Sequence, residues 1–259
     1  MFGWSINLFR IRGIQLAVHF SFLLLLAYAA WQGWTEGGWE QALWSTGILL
    51  GFFACVELHE LGHSFTAMRF GIGVRRILLM PIGGMAQFDD IPREPRRELL
   101  ITLAGPAVNF LIAGLLWPIV GLAADDGIPI TTRGFFQLLL HANLAMGCFN
   151  LLPVFPMDGG RILRAFLAWR MPYVRATYWA SRVARVLAVV AIGTILFSPF
   201  FGRWQERILP SVLFVFIGIV GELEYRATLR REREDEHWRA SLARLYGPAP
   251  TAEPPPVSP

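Results

Sequence analysis

Residues 56–65 read VELHELGHSF, in which His59 and His63 are four residues apart, with Glu60 between them and apolar residues on both sides. On an α-helix, residues i and i+4 lie on one face, so both imidazoles can reach a single metal ion. Glu60 is offset by about 100° around such a helix and can contact a metal-bound water molecule without being a ligand. The spacing therefore predicts a zinc site on a helix.

The sequence around this motif has the composition of a membrane protein. Of its 259 residues, 54% are hydrophobic and 16% are charged, whereas a soluble domain has about 25% charged residues. Unpartnered ionisable side chains in a membrane segment cost several kcal/mol, and this segment holds Glu57 as well as the motif residues. A metal site explains such a cluster better than a chance occurrence of the motif does.

Six apolar stretches are long enough to cross the hydrocarbon, which takes about 20 residues in a helix. They span residues 14–31, 42–68, 98–124, 134–152, 183–199 and 208–225. Residues 71–95 contain β-branched residues, proline and the pair Gly83–Gly84, which favour a short strand or hairpin. We therefore expect an all-α polytopic membrane protein of about six transmembrane helices, with a small membrane-associated β-hairpin or sheet between helices 2 and 3.

The chain divides into three parts by composition. Residues 1–225 hold the apolar stretches and form the predicted transmembrane domain, whose first stretch is expected to stay as an anchor and not to be cleaved as a signal peptide. Residues 226–246 alternate arginine and glutamate, which predicts a charged, solvated helix on the cytoplasmic side. Residues 247–259 are proline-rich and predicted to be disordered.

The basic residues predict how the chain is oriented. All 23 are arginine, and they are spread between apolar runs, which suits a membrane protein better than a nucleic-acid-binding face. With six crossings, 20 of them fall on one side, and only Arg133, Arg203 and Arg207 fall on the other. Because positive loops stay inside, both termini are expected in the cytoplasm, with the chain in the inner membrane of a prokaryote.

A catalytic zinc site needs a third protein ligand, and Asp158 is the best candidate. It lies in the sequence MDGG at residues 157–160, after two helix-breaking prolines, and is surrounded by apolar residues. Its other reading is an N-cap of the helix that follows. The acidic pairs at 89–90 and 125–126 fall in predicted loops, where solvation explains them.

A side-chain amide near the site could donate a hydrogen bond to a developing oxyanion. Asn150, near the end of the fourth apolar stretch, is one candidate, and Asn109 and Asn143 are others. The pattern alone does not choose among them, and Asn150 can also be read as a helix cap.

Two further histidines and both cysteines lie in apolar stretches, namely His19, His141, Cys55 and Cys148. Buried, satisfied histidines and buried, reduced thiols are the expected roles.

With these residues assembled, the chain resembles the site-2 protease family of intramembrane zinc metalloproteases. The matching segments are HELGHSFTAMRFG at 59–71, LLMPIGGMAQF at 78–88, LAGPAVNF at 103–110 and FNLLPVFPMDGGRILR at 149–164. The resemblance covers roughly residues 10–200. It points to the six-crossing branch without a PDZ domain, and the CBS domains of some relatives are not expected here.

The resemblance implies a role for each matching residue. His59, His63 and Asp158 would bind one zinc ion per chain, Glu60 would act as general base and acid, and Asn150 would polarise the scissile carbonyl. Zinc lowers the pKa of a bound water molecule to about 7, which a glutamate can then deprotonate.

The glycine pair of the family corresponds to Gly83 and Gly84, on a strand that would receive an extended substrate by edge pairing. A helical substrate hides its peptide bonds, so local unwinding and strand addition would expose one.

The function expected from the sequence is hydrolysis of a peptide bond within or near a transmembrane segment of another membrane protein, as in regulated intramembrane proteolysis. The expected partners are that substrate and the lipid bilayer, with self-association into a homo-oligomer left open and no nucleic acid. Two alternatives are a catalytically silent relative that binds membrane proteins and a metal or ion transporter.

Overall fold

The computed structural model describes residues 4–89, 92–122, 130–197 and 204–247. Its helices and strands are, in chain order, β1 (Ser5–Ile11), β2 (Ile14–His19), α1 (Phe20–Arg69), β3 (Val74–Met80), β4 (Gly83–Phe88), α2 (Pro95–Leu122), α3 (Ile130–Asn150), α4 (Asp158–Ala168), α5 (Tyr173–Phe197) and α6 (Trp204–Tyr246). The expected mostly helical membrane fold with a small sheet is confirmed. The acidic residues Asp90, Asp125 and Asp126 and the tail after Gly247 lie outside the described residues.

Helix α1 is a hairpin of two antiparallel arms. Gly37 and Gly38 leave helical geometry, and Gly38 has a φ of 72°, a value that glycine adopts without strain. Beyond this break the chain returns alongside itself, so that the rings of Phe22 and Phe53 pack edge to face with centroids 4.7 Å apart. The two arms correspond to the first two predicted crossings.

The sheet is larger than predicted, because it has four strands in the order β1-β2-β3-β4. The expected hairpin is present as β3 and β4, and a second hairpin precedes α1. Strands β2 and β3 join the two hairpins in parallel, with Leu16 opposite Ile77. Residues 14–19, predicted as the start of the first helix, therefore form a central strand.

The reason for this error lies in the local sequence. Residues 14–18 are mostly buried, and a short apolar run has no periodicity that separates strand from helix. Arg12 and Gly13 both have positive φ, of 49° and 92°, as a two-residue hairpin turn requires. That turn directs Ile14 back along Ile11, and the helix begins only at Phe20.

The sheet packs on the motif-bearing end of α1. One core cluster joins residues of β2, β3, α1 and α2, namely Ile14, Leu16, Leu61, Ala67, Val74, Ile77 and Ile101. Burial of these side chains fixes the sheet, and with it the outer strand β4, beside the VELHELGHSF stretch.

Four helices are long and apolar enough to cross a membrane: α1, α2, α5 and α6. Helix α1 is counted once here although it turns back at Gly37 and Gly38, and these apolar helices are those of an integral membrane protein. Helix α3 covers the fourth predicted crossing but is not among these four. Helix α6 has 43 residues and no break, so the predicted charged helix at 226–246 continues directly from the last apolar stretch.

Two expectations about single residues are wrong. Cys148 is exposed, whereas Cys55 is buried, and His141 on α3 is exposed as well. The described helices leave these faces of α3 uncovered. His19 is half-buried and caps α1, since its Nδ1 atom accepts from the backbone N–H of Ser21.

Candidate metal centre

Three side chains from two distant parts of the chain meet at one point. His59 and His63 come from the second arm of α1, and Asp158 is the first residue of α4. The two histidine Nε2 atoms are 3.0 Å apart. The Asp158 Oδ2 atom lies 3.3 Å from Nε2 of His59 and 3.2 Å from Nε2 of His63. All three residues are buried, so the structure brings together the predicted ligand set.

Both imidazole rings are oriented from behind by helix α2. Nδ1 of His63 donates to the carbonyl oxygen of Ile101 at 2.8 Å, and Nδ1 of His59 donates to the side-chain oxygen of Asn109 at 2.5 Å. With its proton on Nδ1, each neutral ring has its lone pair on Nε2. Both lone pairs therefore face the meeting point.

The meeting point suits a positively charged ion. It is lined by two Nε2 lone pairs and a carboxylate oxygen that has no hydrogen-bond partner among the described residues. Three converging acceptors repel one another unless a cation lies between them. Ligands at about 2.0–2.1 Å from a tetrahedral zinc ion are about 3.3–3.4 Å apart, close to the separations seen here. A His-His-Asp set with these distances fits zinc.

Asp158 does not act as a helix cap. The N-cap of α4 is Met157, which makes no side-chain capping hydrogen bond. The carboxylate of Asp158 instead reaches the two histidines, so its position agrees with the ligand interpretation.

Gly105 allows α2 to approach the two imidazoles. A Cβ atom at this position would lie 2.8 Å from Cε1 of His59 and closer still to the ring of His63. Gly105 is four residues from both Ile101 and Asn109, so one face of α2 supports both rings. This face of α2 was not predicted from the sequence, although the spacing of residues 101, 105 and 109 could have indicated it.

Glu60 lies beside strand β4. A Cβ atom at Gly84 would be 2.6 Å from Cγ of Glu60 and 3.5 Å from Val56, so only a residue without a side chain fits there. Among the described strands, β4 pairs only with β3 and is therefore an edge strand, and its face at Gly84 is turned toward the glutamate.

The structure separates the three candidate amides. Asn109 and Asn143 are fully buried and bonded to each other, with Nδ2 of Asn109 donating to Oδ1 of Asn143 at 3.0 Å. Asn150 is half-buried at the C-terminus of α3 and makes no side-chain hydrogen bond within the described residues. Of the three, Asn150 alone has a free amide, and its catalytic role stays a prediction.

A buried ion pair that was not predicted from the sequence holds α4 in place. Arg164 is 1% exposed, and its Nε atom donates to Glu98 on α2 at 2.9 Å. Its Nη1 atom donates to Glu224 on α6 at 2.7 Å, and its guanidinium lies over the rings of Phe155 and Tyr173. The sequence signal for this ion pair was the presence of an arginine and a glutamate, Arg164 and Glu98, next to apolar residues.

Comparison with known proteins places these features in a family. The sequence model of peptidase family M50 matches residues 47–128 and 118–191. A zinc metalloprotease of Methanocaldococcus jannaschii is 37% identical over 226 residues, which are 86% of this chain and 61% of that protein. Stage IV sporulation protein FB of Bacillus subtilis is 27% identical over 77% of this chain and 64% of its own length. This chain thus spans about six-tenths of the length of these relatives.

A solved structure resembles the fold directly. The site-2 protease from Methanocaldococcus jannaschii matches 86% of this chain and 95% of its own chain, with 35% identity and a TM-score of 0.57.

Proposed function

This chain belongs to peptidase family M50, the site-2 proteases, and we propose that it is an intramembrane zinc endopeptidase. Its substrate would be a membrane protein, cut within or near a transmembrane segment. The observation that carries the proposal is the convergence of two histidine lone pairs and one carboxylate oxygen, none more than 3.3 Å from the others.

His59, His63 and Asp158 would hold the zinc ion, one per chain. When bound, zinc would supply a Lewis acid that polarises a carbonyl group and acidifies water. Glu60, one residue after His59 on the same helix, would accept the proton of the attacking water and pass it to the leaving amine. Asn150 would donate its amide hydrogen to the carbonyl oxygen as negative charge develops there.

The free edge of β4 supports the choice of an extended substrate. An edge strand presents unpaired N–H and C=O groups, and β4 packs closely against Glu60 at Gly84. A substrate segment that pairs with Gly83 and Gly84 would unwind from its helix and present its backbone to the glutamate.

The metal site lies far from the turn of the α1 hairpin. Exposed tryptophans Trp31, Trp34 and Trp39 surround that turn, as is typical of a membrane interface. His59 follows Gly38 by 21 residues, a distance of about 30 Å along a helix, and the hydrocarbon is about 30 Å thick. This depth supports a site close to the opposite interface, where water need cross only part of the bilayer.

The arginine distribution supports the cytoplasmic side for that opposite interface. A tag inserted at residue 128 is then expected to react with a membrane-impermeant probe added outside cells. A tag inserted at residue 91 is expected to react only after the cells are opened. The reverse pattern would overturn the proposed orientation.

The proposed activity is tested with the purified full chain in liposomes and a membrane protein with one transmembrane segment as substrate. We expect cleavage in or near that segment, complete loss of cleavage after a zinc chelator, and recovery when Zn²⁺ is restored. Cleavage that survives the chelator would contradict a zinc mechanism. Zinc binding with no cleavage of any segment would indicate the silent relative instead.

A further inference from the structure

A buried chain of hydrogen bonds extends from His59 through two asparagines. Nδ1 of His59 contacts Oδ1 of Asn109 at 2.5 Å, Nδ2 of Asn109 contacts Oδ1 of Asn143 at 3.0 Å, and Nδ2 of Asn143 contacts the carbonyl of Leu139 at 2.8 Å. We infer that Asn109 and Asn143 are positioning residues that fix the tautomer and ring orientation of His59 for metal binding. The inference rests on the proposed metal site and adds two residues to it.

The direction of these hydrogen bonds is set at the Leu139 carbonyl, the end farthest from His59. The Leu139 carbonyl can only accept a hydrogen bond, so Asn143 must turn its NH₂ group toward it. The Asn143 oxygen then faces Asn109 and can only accept, which turns the NH₂ group of Asn109 toward it. The remaining Asn109 oxygen faces His59 and requires a proton on Nδ1. A backbone carbonyl on α3 thereby determines that Nε2 of His59 carries the lone pair.

Because both asparagines are buried, the directions of these hydrogen bonds are stable. Asn109 and Asn143 are both 0% exposed, and no solvent can replace a hydrogen bond that is lost if either amide flips. A flipped Asn109 would place an NH₂ group against the Nδ1–H of His59, and a buried donor without a partner costs about 1–3 kcal/mol. Asn143 is needed because it removes the alternative orientation of Asn109.

The two histidines differ in how they are held. His63 donates to the backbone carbonyl of Ile101, an acceptor that every residue type provides. His59 depends on two side chains from α2 and α3. The orientation of the His59 ring can therefore be tested by side-chain substitution. Mutation of outer-shell partners of this kind typically lowers metal affinity by about 10–100-fold.

The same contacts exclude a different role for these asparagines. Asn109 and Asn143 are both 0% exposed, so neither amide can contact a substrate. Each already donates an N–H to its neighbour in this series of hydrogen bonds, and the Asn109 oxygen faces His59. They therefore act through His59.

The test is zinc affinity of the full chain in detergent, measured by competition with a chromophoric chelator and independent of proteolysis. We expect Asn109→Leu to weaken binding about 10–100-fold and Asn143→Leu to weaken it less. Asn109→Asp should recover part of the affinity, since one carboxylate oxygen still accepts from Nδ1 of His59, whereas the other faces the Asn143 oxygen and loses that hydrogen bond. A role in packing alone predicts the opposite, because a buried carboxylate would be worse tolerated than leucine.

The matched control is Thr177→Val, which removes the hydrogen bond of another fully buried side chain, from Thr177 to the carbonyl of Tyr173 on α5. It should leave zinc affinity unchanged. Wild-type affinity in Asn109→Leu, or an Asn109→Asp variant no better than Asn109→Leu, would overturn the inference. If Asn109→Leu does not fold, Asn143→Leu against Thr177→Val decides by the same measurement. If the variants rank in zinc affinity as expected but the wild-type protein cleaves no substrate, the proposed activity is refuted and the inference still stands.

Discussion

Substitution Glu60→Gln is expected to lower the rate of peptide hydrolysis by about 10²–10⁴-fold, the usual contribution of a positioned general base. Glutamine has the size of glutamate, so the close contact with Gly84 is preserved. Since Glu60 is not among the three converging ligands, the zinc content should not change. The measurement is cleavage of a transmembrane substrate in liposomes, together with metal analysis of the same preparation.

The matched control for this experiment is Glu57→Gln. Glu57 lies one helical turn before Glu60 on the same arm of α1, and the substitution makes the same chemical change at a residue without an assigned role. It should retain cleavage close to that of the wild type. Equal loss in both variants, or a Glu60→Gln rate above a tenth of the wild-type rate, would contradict the proposed role of Glu60.

Substitution Arg164→Met is expected to give the largest loss of stability, about 3–5 kcal/mol, because it leaves a buried carboxylate without its partner. Glu98 is 3% exposed, and Arg164 bonds to it while also contacting Glu224 on α6. Helix α4 begins with Asp158, so loosening α4 should also weaken zinc binding. Thermal unfolding in detergent, with and without Zn²⁺, measures both effects.

Two further variants identify the cause of this loss. The double variant Arg164→Met with Glu98→Gln removes the unpaired charge and should recover part of the stability. Arg170→Met changes an exposed arginine two residues after α4 ends, and surface substitutions usually stay within about 0.5 kcal/mol. If Arg170→Met were as damaging as Arg164→Met, the buried ion pair would not be the explanation.

Much of the candidate site could be predicted because its chemistry is concentrated in short segments. The spacing of His59 and His63 implies a helix face, and Asp158 is an acidic residue in apolar surroundings, which is costly without a partner. These two signals were enough to anticipate three side chains that the fold brings together from separate helices. The β3–β4 hairpin followed in the same way from its glycines, proline and β-branched residues.

What could not be predicted depends on contacts between distant segments. Residues 14–19 became a strand because β1 and β3 lie on either side of them, and nothing within the stretch itself shows those neighbours. Asn109 was one of three equivalent amides until its position opposite His59 was known. Gly105 was missed for the same reason, since the need for a small residue arises only where α2 meets the two rings.

The separation of the ligands along the chain has a consequence for biosynthesis. His59 and His63 leave the ribosome together, but Asp158 is made only after β3, β4, α2 and α3. At a synthesis rate of about 5–20 residues per second, the nascent chain exists with a two-ligand half-site for on the order of 5–20 s. The proposed protease thus acquires its third metal ligand, and with it the complete site, late in its own translation.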